Sequence, residues 1–104
     1  KDPVLLPLPK PVEGADGSIE GVVVYCDSFG NLITNIDQSY RPGWSKAVIG
    51  MQACERVETY GSCPAGTLCA LVGSGGKIEI AVAEGSAASR FGGEAVGLTV
   101  RVSD

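Results

Sequence analysis

Phe29-Gly30-Asn31-Leu32-Ile33-Thr34-Asn35-Ile36, with Asp27 just ahead of it, is the stretch on which the reading of this chain turns. Leu32 to Ile36 reads as a short strand entered through a tight Phe29-Gly30-Asn31 corner. Two asparagines and a threonine are costly in a strand interior, and when buried they need partners. The run therefore has two readings. It is a ligand edge, with an aromatic face, an amide that donates and accepts, and a glycine that admits close backbone approach. Alternatively it is a Gly-Asn turn with polar caps.

Working outward, the neighbouring segments repeat the strand pattern. Ile19 to Cys26 is rich in β-branched residues and follows the turn signal Asp16-Gly17. Beyond the motif, Asp37 to Ser45 reads as a loop, Lys46 to Met51 as a third strand and Cys54 to Tyr60 as a fourth. Thr67 to Val72 is almost continuously apolar, as a central strand is, and Gly73-Ser74-Gly75-Gly76 links it to Lys77 to Ala83 as a hairpin. Ser86 to Phe91 fits one helical turn capped by Ser86. Gly97 to Val102 closes the chain by strict alternation, with Leu98, Val100 and Val102 on one face. About seven short strands bent by 15 glycines predict an all-β barrel or sandwich.

The 104 residues make one domain. With 44% apolar and 19% charged residues the chain can bury a core and is not disordered. A net charge of −4 without a basic stripe argues against nucleic acid and slightly favours a cationic small molecule. No apolar run is long enough for a membrane span. The first stretch, Lys1 to Pro11, carries four prolines and lacks the features of a signal peptide. It reads as a stiff, extended linker whose Val4, Leu5, Leu6 and Leu8 lie on a surface. The expected division is a linker over 1–18 and a barrel domain over 19–104, the C-terminal part of a larger two-domain protein.

Cys26, Cys54, Cys63 and Cys69 match no zinc spacing, and histidine is absent, so no metal site is expected. Cys26 and Cys69 lie in apolar runs, where a thiol acts as a small hydrophobe. Cys54 and Cys63 flank a hairpin and could approach each other. The favoured reading is four free thiols in a cytoplasmic protein.

No catalytic set stands out. Several positions suit recognition. Ser74 in its glycine-rich turn offers a hydroxyl and backbone N–H groups to a carboxylate, or is simply a hairpin turn. Gly85-Ser86-Ala87-Ala88 either packs closely or turns backbone groups to a planar ligand. Phe29 and Tyr60 are core aromatics or stacking faces. Trp44 plugs the end of the fold or anchors a partner. Asp27 caps the Ser28-Phe29 turn or binds an ammonium.

Three segments in order resemble one family. They are Gly21-Val22-Val23 through Asp27 to Phe29–Ile36, then Leu71-Val72-Gly73-Ser74-Gly75-Gly76-Lys77-Ile78-Glu79-Ile80-Ala81-Val82, then Gly85-Ser86-Ala87-Ala88. The chain resembles the C-terminal domain of the S-adenosyl-L-methionine hydroxide adenosyltransferases, relatives of the fluorinating and chlorinating enzymes. The resemblance implies a small β-barrel that follows an α/β domain, in proteins that assemble as homotrimers. It implies S-adenosylmethionine as substrate, with no further cofactor, bound between this domain and a neighbouring subunit's N-terminal domain. Hydrolysis would yield adenosine and methionine.

By the same resemblance, Asn31 would bond the adenine edge, with Phe29 and Tyr60 against the ring. Backbone at Ser86 and Ala87 would read the adenine amino group. Asp27 would hold the methionine ammonium and Ser74 its carboxylate. Catalytic residues would lie outside this chain. One residue, Ser28, separates Asp27 from Phe29 where halogenating members have two. Gly75 stands where they carry arginine, and Ile33 where they carry tryptophan. These departures favour the water-using branch over a halogenase. A non-catalytic binding or assembly barrel is the reading from another class, and an oligonucleotide-binding barrel is disfavoured by the charge.

Overall fold

The computed structural model describes residues 10–83, 85–92 and 94–104. These form eight strands and one short helix: β1 (Val12–Glu13), β2 (Ile19–Cys26), β3 (Leu32–Asp37), β4 (Lys46–Ile49), β5 (Gln52–Arg56), β6 (Leu68–Val72), β7 (Lys77–Val82), α1 (Ala87–Arg90) and β8 (Thr99–Ser103). The strand order is β1-β2-β3-β7-β6-β5-β4-β8, and β8 also pairs with β2. Seven strands thus close on themselves, leaving β1 as an addition to β2. Closure removes the exposed sheet edges that an open sandwich would have to protect. The all-β barrel expected from the spacing of short strands and turns is the architecture observed.

All barrel pairings are antiparallel except β5 with β6. Alternation sets what each strand turns inward. On β8, Val100 and Val102 are fully buried while Thr99 and Arg101 are exposed. On β7, Ile78 and Ile80 join Leu32, Ile36, Ile49 and Val23 in a single core cluster. Trp44 belongs to that cluster and is 1% exposed. It is a plug, and the partner-anchor alternative falls away. The Arg56 guanidinium lies 4.6 Å from its ring centroid and donates to the Trp44 carbonyl at 2.8 Å.

Thr34 and Asn35 are part of the frame. Thr34 is buried, and its hydroxyl donates to the Ile78 carbonyl at 2.7 Å while accepting from the Ile36 N–H at 3.1 Å. Asn35 Oδ1 accepts the Val22 N–H at 2.8 Å, next to the register shift between β2 and β3. These polar side chains complete backbone bonding at an irregularity of the ladder. Half of the opening motif is thereby structural.

Several boundaries differ from the sequence expectation. β4 stops at Ile49, because Gly50 (φ +59°) and Met51 form the hairpin loop to β5. β5 ends at Arg56, and Tyr60 lies in a 3-10 turn over Tyr60–Ser62 closed by the Cys63 N–H on the Tyr60 carbonyl. Val12 and Glu13, in the stretch expected as linker, pair with Glu20 and Ile19 of β2. The surface placement expected for Val4, Leu5, Leu6 and Leu8 lies outside the described residues.

The cysteine expectation needs correction. Cys63 and Cys69 form a disulfide with Cα atoms 6.1 Å apart. The Pro64–Thr67 turn, closed by the Thr67 N–H on the Pro64 carbonyl, folds Cys63 back onto β6. Cys54 is free and buried rather than partnered with Cys63, and Cys26 is exposed rather than packed. Four free thiols therefore no longer support a reducing compartment. No helix among the described residues is long and apolar enough to cross a membrane.

Candidate functional site

The corner that opens β3 is built by one carboxylate. Asp27 Oδ1 accepts the N–H groups of Phe29 and Asn31, each at 2.9 Å, and Gly30 N–H closes on the Asp27 carbonyl at 3.0 Å. The turn-capping reading of Asp27 is thus realised. The same turn carries two side chains of the rim: Phe29 stands 78% exposed, and Asn31 is half-buried beside it. Helix α1 supports the corner from behind. Its Ala88 N–H donates to the Gly30 carbonyl at 2.9 Å, and Ser86 caps it by accepting the Ser89 N–H at 3.2 Å.

Two adjoining clefts share Phe29, Asn31 and Tyr60. The larger, about 620 Å³, continues over Gly61, Cys63, Val82, Ala83 and Gly85. Its walls are flat, small or apolar, and suit a planar ring. The smaller, about 450 Å³, holds Asp27, Glu58, Ser74 and Glu79. Three carboxylates and a hydroxyl suit a cation with a polar tail.

Hydrogen bonds join the two lobes. Asn31 Nδ2 donates to Asp27 Oδ2 at 3.2 Å and to Tyr60 Oη at 3.3 Å. Tyr60 Oη donates to Glu79 Oε1 at 2.6 Å. Burial, then the bond and charge of Glu79, push the Tyr60 phenol well above its ordinary value, so it remains a donor. Tyr60 is held in place by its own 3-10 turn and, three residues on, by the Cys63–Cys69 bridge to β6.

Of the residues singled out from sequence, Asp27, Phe29, Asn31, Tyr60 and Ser74 come together around these lobes. Ser86 and Ala87 do not line them. The Ser86 hydroxyl caps α1 and Ala87 is fully buried, while their neighbour Gly85 reaches the larger lobe. Glu79 was not singled out, although alternation along Lys77–Val82 sets it opposite Ile78 and Ile80. Cys63 was missed because its place depends on the turn that returns it to β6.

Residues 21–97 match the family described as SAM hydroxide adenosyltransferase C-terminal domain. The chain belongs to this family. Among solved structures, a conserved hypothetical protein from Thermus thermophilus is similar at 32% identity with a TM-score of 0.72. The likeness covers 96% of this chain and 39% of that one. An uncharacterized conserved protein from Thermotoga maritima shares the fold at a TM-score of 0.74 and 24% identity, over 97% of this chain and 41% of that one. The chain spans about two fifths of the length of either.

Proposed function

We propose that this SAM hydroxide adenosyltransferase C-terminal domain is the adenine- and methionine-recognising part of an enzyme that hydrolyses S-adenosyl-L-methionine to adenosine and L-methionine. The observation that carries the reading is the pair of lobes meeting at Asn31. One is flat and apolar, the other acidic, and S-adenosylmethionine joins a planar base to a cationic amino acid. In this account Phe29 and Tyr60 flank the adenine and Asn31 bonds its edge. Gly85 and the backbone of Ser86 and Ala87 close the ring end. The Asp27 carboxylate attracts the ammonium and Ser74 meets the carboxylate.

The chemistry is attack of water or hydroxide on the ribose C5′ with methionine leaving. This domain contributes orientation and exclusion of water, and the groups that activate the nucleophile come from the remainder of the full-length protein. The exposure of Phe29 on the rim supports a cleft completed by another surface, which we assign to a neighbouring subunit of a homotrimer. Gly75 and Ile33 favour water over halide, as their small or aliphatic side chains stand where halogenating relatives carry arginine and tryptophan.

The test is product analysis of the full-length protein with S-adenosylmethionine, with and without chloride. Adenosine and methionine in both buffers support the hydrolase. A 5′-chloro-adenosine product would assign the halogenating branch instead. Absence of turnover in folded protein would leave a binding or assembly barrel.

A further inference from the structure

Beyond its share in the acidic lobe, Glu79 ends the hydrogen-bonded chain that runs through the centre of the cleft. A carboxylate only accepts, so the Asn31 atom facing Asp27 Oδ2 at 3.2 Å is the amide nitrogen. The phenol proton of Tyr60 is committed to Glu79 Oε1 at 2.6 Å, so Tyr60 Oη meets Asn31 as an acceptor at 3.3 Å. Both Nδ2 protons of Asn31 are then engaged, and Oδ1 is the atom of the carboxamide with capacity left for a ligand. The direction of every bond in the chain follows from the two carboxylates at its ends.

The backbone accommodates this arrangement. Glu79 reaches Tyr60 across position 73, where a Cβ would lie 1.7 Å from Glu79 Oε2. Only glycine at 73 leaves the carboxylate its place. Glu79 pairs with Ile33 and Leu71 in the ladders, so its strand position is fixed on both sides.

We propose that Glu79 is a positioning residue that acts through Tyr60 and, with Asp27 at the other end of the chain, fixes the polarity of Asn31, making the cleft selective for a ligand that donates a hydrogen bond at that point. The inference rests on the adenine-site reading above and adds its selectivity. A 6-amino purine presents a donor to Asn31 Oδ1, whereas a 6-oxo purine presents an acceptor to an acceptor. A site whose polar atom is left facing a mismatched group discriminates strongly.

The experiment measures adenosine and inosine binding to the full-length protein, in wild type, Glu79→Gln and Tyr60→Phe, by calorimetry. Wild type is expected to favour adenosine by roughly tenfold or more. Glu79→Gln carries both a donor and an acceptor and no longer dictates the phenol proton, which leaves the Asp27 bond alone to orient the Asn31 amide, so the preference falls at least severalfold. Tyr60→Phe removes the acceptor for one Nδ2 proton and lowers the preference likewise, which keeps the test decisive if Glu79→Gln fails to fold. An adenosine-to-inosine ratio unchanged in the folded variants, even with both affinities reduced, would overturn the relay and leave Glu79 merely structural. Wild type binding neither nucleoside would overturn the adenine-site reading itself, and the inference with it.

Discussion

Gly30 and Ser86 meet so closely that a Cβ at residue 30 would lie 2.1 Å from the Ser86 hydroxyl oxygen. The contact joins the corner carrying Phe29 and Asn31 to the cap of helix α1, and Gly30 holds a positive φ of +86°. The rim of the cleft is therefore set by backbone packing as well as by the Asp27 carboxylate.

Gly30→Ala should be destabilising for two independent reasons. A left-handed backbone costs a non-glycine residue about 1–3 kcal/mol, and the clash with Ser86 adds to it. Gly43→Ala, where the added methyl meets nothing within 4 Å, is the matched control. Thermal unfolding of the two variants checks this. Equal melting temperatures would mean that the corner and the helix cap do not touch as described.

The disulfide makes stability depend on redox state. Cys63 and Cys69 are six residues apart, and closing so short a loop is worth about 2 kcal/mol in the chain-entropy account. Reductant should lower stability by about that amount and loosen the turn that carries Tyr60. Alkylation of unreduced, denatured protein should label Cys26 and Cys54 but neither bridged residue. In the native state Cys26 should react first, because burial pushes the Cys54 thiol up to about 11 and withholds it from reagent. Labelling of all four cysteines without reductant would disprove the bridge.

Acid should weaken the loop after β3 through Asp37. Its carboxylate accepts the Ser39 N–H at 2.9 Å and lies 3.7 Å from the Lys77 ammonium. The bonds to Ser39, and then the Lys77 charge, hold its pKa below the ordinary 3.8. A group depressed in the folded state stabilises above its unfolded pKa and loses that contribution as pH falls through the folded value. The stability difference between wild type and Asp37→Asn should therefore be largest near neutrality and shrink as pH drops below about 4. A difference that grows on acidification would reverse the assignment.

What the sequence revealed, and what it hid, follows from how far each residue's partners lie along the chain. Strand positions were legible because alternation is local: Val100 and Val102 face inward and Arg101 outward as their spacing requires. Ser86 as a helix cap was legible for the same reason. Thr34 was ambiguous, because its partner is the Ile78 carbonyl, 44 residues away. Glu79 was passed over because its role depends on Tyr60, delivered by a 3-10 turn that the expected strand Cys54 to Tyr60 had concealed. The Cys63–Cys69 bridge was hidden by the same turn region, where proline and glycine reverse the chain onto β6.

The central claim is that the two lobes meeting at Asn31 bind S-adenosylmethionine. The most direct measurement is kcat/KM for this substrate in the full-length protein, comparing wild type with Asn31→Ala. Asn31 is half-buried, and a bound substrate would cover it; loss of an amide contact so covered costs about 1–3 kcal/mol, so kcat/KM should fall by roughly one to two orders of magnitude while the fold is retained. Folded Asn31→Ala protein with unchanged kcat and KM would remove Asn31 from the site and contradict the account.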